Sequence, residues 1–160
     1  MLRVLTGPPF HREHDHEFAE LAVSGADSAI VAGGTTANII ERELGKHVEI
    51  DLKLVKAAGE LPPPGRIPGI GLATEGILTL SRVATVLEAG NRGDTPLAAQ
   101  AVINRMLDHD RIEFIVGTKV NEAHQDPNLP LELELRRNIV KRLADALRTQ
   151  YRKKVIIKYF

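Results

Sequence analysis

The chain has no cysteine in its 160 residues, which excludes disulfides and thiolate metal sites and is compatible with a reducing compartment. Neither sign of charge is in excess, because 21 Lys and Arg balance 21 Asp and Glu. A dedicated nucleic-acid binder draws its affinity from surplus positive charge, so that class is not expected. No apolar run approaches the roughly 20 residues of a membrane span. The opening Met1-Leu2-Arg3-Val4-Leu5 runs into Gly7-Pro8-Pro9 and is too short for a signal-peptide core. Internal repeats and low-complexity segments are also missing. The expectation is a soluble, cytoplasmic protein without nucleic-acid or membrane partners. What is present is a 43% hydrophobic share, enough to build the interior of one domain of ordinary size.

Apolar runs alternate with helical periodicity along the chain. Residues 2–5 read as a strand halted by Gly7-Pro8-Pro9, and residues 12–23 as a helix with Phe18, Leu21 and Ala22 on one face. Residues 29–32 form a second strand, residues 37–44 a helix stopped by Gly45, and residues 47–52 a third strand ending near Asp51. The prolines within residues 58–69 require loop or extended chain. Residues 70–73 read as a short strand, followed by a helix with Ile77, Leu80, Val83, Ala84 and Leu87 on one side. Asn91-Arg92-Gly93 ends that helix. Asp94-Thr95-Pro96 then supplies a capping oxygen ahead of a first-turn proline for a helix reaching about residue 107. Residues 112–116 are the clearest strand of the chain. A polar loop over residues 117–130 precedes a helix with Leu135, Ile139, Leu143 and Leu147 aligned, and residues 155–159 form a last strand. This alternation predicts a three-layer α/β fold with a mainly parallel, Rossmann-like sheet covered on both faces. One domain over residues 1–160 is expected, the alternative being a division at Asn91-Arg92-Gly93, where two helices meet without a strand between them.

The run Ile30-Val31-Ala32-Gly33-Gly34-Thr35-Thr36-Ala37-Asn38 passes from strand to helix through two glycines. Such a junction lets the backbone turn sharply, and Thr35 and Thr36 are placed to cap the helix or present hydroxyls outward. A helix N-terminus with free N–H groups and partial positive charge favours anions. Ligands in open parallel sheets bind beyond the carboxyl ends of the strands. There the chain places Thr6-Gly7, Gly33 to Thr36, Asp51, Thr74-Glu75-Gly76 and residues 117–126. A glycine turn, a helix and a strand ending in an acid is also the layout of a nucleotide half-site, with Asp51 17 residues after Gly34. Gly33-Gly34-Thr35-Thr36 is not the three-glycine fingerprint, however, and it lacks the lysine of a P-loop.

Glu75 opens a helix, where the dipole favours a carboxylate, and it faces the same predicted rim. In Asn121-Glu122-Ala123-His124-Gln125-Asp126-Pro127, His124 is a candidate acid or base, and Glu122 or Asp126 a candidate cation ligand; turn formation by Asp126-Pro127 is the simpler alternative. Gly33, Gly34, Thr35, Thr36, Asn38, Asp51, Thr74, Glu75, Asn121 and His124 are thus the expected ligand-binding set, with Glu75, His124 and Asp126 the catalytic candidates. His11, His14, Asp15 and His16 fall at a helix start, and His14 and His16 do not share a face, so no metal site is expected from them. The basic residues Arg136, Arg137, Lys141, Arg142, Arg148, Arg152, Lys153 and Lys154 read as a solvated face.

Beyond these motifs, the chain resembles the region that follows the catalytic domain in clostridial phosphatases of the stage II sporulation protein E type. The matching stretches are Thr6-Gly7-Pro8-Pro9, Gly33 to Ile39 with Arg42-Glu43-Leu44-Gly45, Glu49-Ile50-Asp51, Thr74 to Leu80, and Asn121 to Pro127. The family is known for Ser/Thr dephosphorylation by a metal-bound water held by aspartates in Asp-Gly contexts. This sequence has no Asp-Gly dipeptide, so phosphatase activity does not transfer to it. The resemblance implies an accessory or sensory domain of sporulating bacteria, with a phosphatase or another regulatory protein as partner.

Three functions compete on these grounds. The first is a module binding a small anionic ligand, a phosphorylated metabolite or a nucleotide, at the strand-end rim. The second is a metal-assisted hydrolase or transferase using Glu75, His124 and Asp126, for which the cofactor would be a divalent cation. The third is a scaffold that docks a protein through the basic last helix. Self-association is compatible with all three.

Overall fold

In the computed structural model, residues 1–50, 63–90, 93, 95–119 and 132–160 are described. Strands β1 (Leu2–Thr6), β2 (Ser28–Ala32) and β6 (Arg111–Val116) are buried on both faces, as strands covered by helices on either side must be. They stand at the centre of a seven-strand sheet completed by β3 (Glu49–Ile50), β4 (Gly65–Ile67), β5 (Gly71–Thr74) and β7 (Lys154–Tyr159), in the order β3-β4-β5-β2-β1-β6-β7. The five strands from β5 to β7 are parallel, with Val4 opposite Ile30 and Phe114. Strand β4 runs antiparallel to both β5 and β3.

Among the described residues five helices flank the sheet: α1 (Asp15–Glu20), α2 (Gly34–Leu44), α3 (Ile77–Ala89), α4 (Leu97–Leu107) and α5 (Glu132–Thr149). On one face α3, α4 and α5 bury Leu80, Val83, Val102, Met106, Leu143 and Leu147 against Leu2, Val4, Ile30, Ile112 and Phe114. On the other, Phe18, Ala19, Ile39 and Ile40 of α1 and α2 cover Leu5, Val31, Ala73 and Ile115. The result is a three-layer α/β fold with a mixed, mostly parallel sheet. The order of its parallel strands is that of an open doubly wound sheet, and the direction of winding reverses between β1 and β6. No described helix is long and apolar enough to cross a membrane.

Several local expectations change. The helix expected over residues 12–23 divides into a 3-10 turn, Arg12–His14, and the six-residue α1. Helix α2 begins at Gly34, three residues early, because the diglycine bend itself enters the first turn. Among the described residues β3 covers Glu49–Ile50 and is exposed, and the proline-bounded segment expected as loop or extended chain contributes the short strand β4. Pro96 is the N-cap of α4 rather than a first-turn residue. Leu135 is 51% exposed, since the buried stripe of α5 runs instead through Arg136, Ile139, Val140, Leu143 and Leu147. Asp51, Leu52, Asn91, Arg92, Asp94 and residues 120–130 of the polar loop lie outside the described residues.

Candidate functional site

Three neighbouring parallel strands, β1, β2 and β5, end on one rim, and each hands the chain to glycine: Gly7, Gly33 and, after Glu75, Gly76. All three have positive φ, +81°, +114° and +129°, a region that side-chain-bearing residues seldom occupy. The Gly33 N–H donates to the Thr74 carbonyl at 3.1 Å. A Cβ on Gly76 would stand 3.1 Å from the Gly33 Cα, so the two strand-to-helix junctions meet backbone to backbone. Between them opens a cavity of about 360 Å³ floored by Thr6, Ala32 and Gly33.

Helix α2 points its first turn into this cavity. Gly34 and Thr35 line it and are exposed, while Thr36 lines it from a buried position. Among the described residues no side chain caps α2, so its first N–H groups, which have no partner within a helix, carry the positive end of the dipole into the space. Thr36 has a different task from the capping expected of it. Its Oγ1 accepts a hydrogen bond from the Gly7 N–H at 2.9 Å, tying the end of β1 to α2. Asn38, further along α2, is exposed and does not line the cavity.

Glu75 also lines the cavity, but its Oε1 accepts a hydrogen bond from the Thr79 N–H at 2.8 Å. It therefore acts as an N-terminal cap for α3, satisfying one of that helix's unpaired donors. Thr74 is buried beneath the site, and its hydroxyl has no hydrogen-bond partner among the described residues.

Arg136, expected on a solvated basic face, is 4% exposed and forms one wall of the cavity. Its Nη1 donates to the Gly117 carbonyl at 2.7 Å, and its guanidinium packs so closely on Gly7 that a Cβ there would lie 2.5 Å from Cζ. A signal was present in the spacing. Arg136 stands three, four and seven residues before Ile139, Val140 and Leu143, a spacing that fits the arginine to the buried stripe. Other basic residues are also engaged: Arg142 with Glu88, Arg148 with the Val155 carbonyl, Lys153 with the Leu107 carbonyl.

The structure thus unites Gly33, Gly34, Thr35, Thr36 and Glu75 around one cavity and adds Thr6, Gly7, Gly76 and Arg136 to them. Asp51, Asn121, Glu122, His124 and Asp126 lie outside the described residues. Strand β3, which leads toward Asp51, is at the sheet edge, with β4 and β5 between it and β2. A nucleotide half-site would set the acid-bearing strand directly beside the glycine turn, and that adjacency does not occur. Asp15, in the histidine-rich turn, is buried and accepts a 2.7 Å hydrogen bond from Arg42. Among the described residues no group of three His, Asp or Glu side chains is placed to hold a metal ion.

Comparison of this chain with protein-family models, with curated proteins and with solved structures finds no significant match.

Proposed function

We propose that this protein is a binding module for a phosphorylated small molecule or nucleotide, whose phosphoryl group sits between the first turn of α2 and Arg136. The observation that carries this reading is the buried guanidinium of Arg136 on the wall of the cavity that receives an uncapped helix start. Helix dipole and guanidinium both favour an anion, and burial strengthens each relative to water. A volume of about 360 Å³ suits a small ligand. Glu75, an acceptor only when ionised, favours a ligand that brings hydroxyl donors beside its phosphate, as sugar and nucleoside phosphates do. The resemblance to the segment that follows sporulation-type phosphatase domains gives such a site an accessory, sensory role with a phosphatase or regulatory protein as partner.

Isothermal titration with a panel of sugar phosphates and nucleotides tests the reading. At least one compound is expected to bind. Arg136→Met should weaken it by about tenfold or more, the loss of one charge-assisted contact worth roughly 1.5–3 kcal/mol. Arg137→Met, on the neighbouring exposed position, should leave the affinity unchanged. Absence of binding across the panel, or equal affinity in Arg136→Met, defeats the proposal.

A further inference from the structure

We infer that the ligand carries a second anionic group, which is held in a basic cleft adjoining the first cavity. The cleft, of about 530 Å³, shares Pro8 and Thr35 with the glycine-lined cavity, so one molecule can occupy both. Three cations from three separate segments line it. Arg12 comes from the 3-10 turn, Arg42 from the last turn of α2, and Lys119 from the chain leaving β6. Among the described residues of the lining the one carboxylate is Asp15, bound to Arg42 at 2.7 Å, and Arg42 also pairs with Glu43 at 3.5 Å. Among the described residues Arg12 and Lys119 form no ion pair, so the described lining carries more cations than carboxylates on a chain whose net charge is zero.

Parts of this cleft are held in place rather than merely exposed. The Asp15 side chain is only 9% exposed and fixes the Arg42 guanidinium, itself 48% exposed, toward the opening. The Lys119 N–H donates to the Pro8 carbonyl at 3.2 Å, anchoring the root of that lysine at the boundary between the two spaces. A phosphoryl group at Thr35 and Arg136 would thus have a second basic receptor a short step away, beyond Pro8. The ligand class that fits is a small molecule with two separate anionic groups, such as a sugar bisphosphate or a nucleoside bisphosphate. A single phosphate ester would leave the outer cations in water.

This inference rests on the phosphate reading of the first cavity, and titration of matched pairs separates the two. The probes are fructose 6-phosphate against fructose 1,6-bisphosphate, and AMP against adenosine 3′,5′-bisphosphate, all at one ionic strength. In at least one pair the bisphosphate is expected to bind about tenfold or more tightly than its monophosphate. The double variant Arg12→Gln with Lys119→Gln should reduce the bisphosphate to the affinity of the monophosphate and leave the monophosphate unchanged. Both residues are exposed, so the variant should keep the wild-type melting curve. Equal affinity within both pairs, or an advantage that survives the double variant, overturns the second subsite alone. No binding by any of the four overturns both readings.

Discussion

Gly7 and Arg136 define each other's position. At φ +81° the glycine takes a conformation that disfavours a side chain, and an added Cβ would fall 2.5 Å from the guanidinium carbon. The guanidinium cannot simply swing aside, because it is buried and its Nη1 is bonded to the Gly117 carbonyl. Gly7→Ala is therefore expected to cost about 1–3 kcal/mol through strain and overpacking. Arg136→Ala should cost about 1–3 kcal/mol by leaving a buried carbonyl unsatisfied. In the double variant the backbone strain at residue 7 remains but the collision is gone. The two losses should then sum to less than their parts by about 1 kcal/mol, a coupling that a double-mutant cycle in urea, followed by circular dichroism, resolves. Strict additivity would mean that the guanidinium does not occupy the space above Gly7.

Helices α3 and α5 pack side by side on the same face of the sheet, and their exposed edges are joined by Glu88 and Arg142. The Arg142 guanidinium, hydrogen-bonded to Glu88, holds that carboxyl below the usual carboxylate range, and the Arg142 pKa is raised in return. A carboxyl with a depressed folded-state pKa contributes stability above its unfolded value and loses it as pH falls through the folded value. The pair is exposed to solvent and salt, so the contribution is small. Glu88→Gln should accordingly lie slightly below wild type in urea midpoint at neutral pH. The gap should close as pH drops below the ordinary carboxylate range, and a gap independent of pH would assign the effect to packing. Elements like α3 were legible because Ile77, Leu80, Val83, Ala84 and Leu87 repeat at helical spacing and glycine stops the pattern. Strand β4 was legible only as loop or extended chain, since its pairing with β5 and β3 is a contact made across the chain that the local prolines do not reveal. Arg136 was hidden for a related reason. Charge argues for solvent, and only its register with Ile139 and Leu143 argues for the interior.

At the scale of the whole molecule, the site exists because five parallel strands carry their carboxyl ends to one rim. The alternation of strands and helices foretold that much, together with the glycine bends on the rim. Sequence alone could not tell which rim residues meet, because that depends on strand order, and the order sends β3 to the far edge, with β4 and β5 between it and β2. The winding reverses between β1 and β6, and there the two emerging segments press together. The Gly117 N–H donates to the Thr6 carbonyl at 2.9 Å, and a Cβ on Gly117 would lie 2.1 Å from the Pro8 carbonyl oxygen and 2.4 Å from that of Gly7. These are backbone atoms of the neighbouring strand's exit and have no rotamer by which to retreat. Gly117→Ala must therefore part the ends of β1 and β6, releasing the Arg136 anchor along with them, and a loss of about 2–4 kcal/mol or failure to fold is expected. Gly34→Ala is the control on the same rim, because an added Cβ there meets nothing within 4 Å. In the first turn of α2 it should be neutral or stabilise by up to about 1 kcal/mol. Thermal melts of the two variants, with hydrogen exchange over residues 2–6 and 111–116, distinguish the outcomes. Wild-type melting and protection in Gly117→Ala would show that the two exits have room between them, and the rigid wall assigned to the glycine-lined cavity would lose its support.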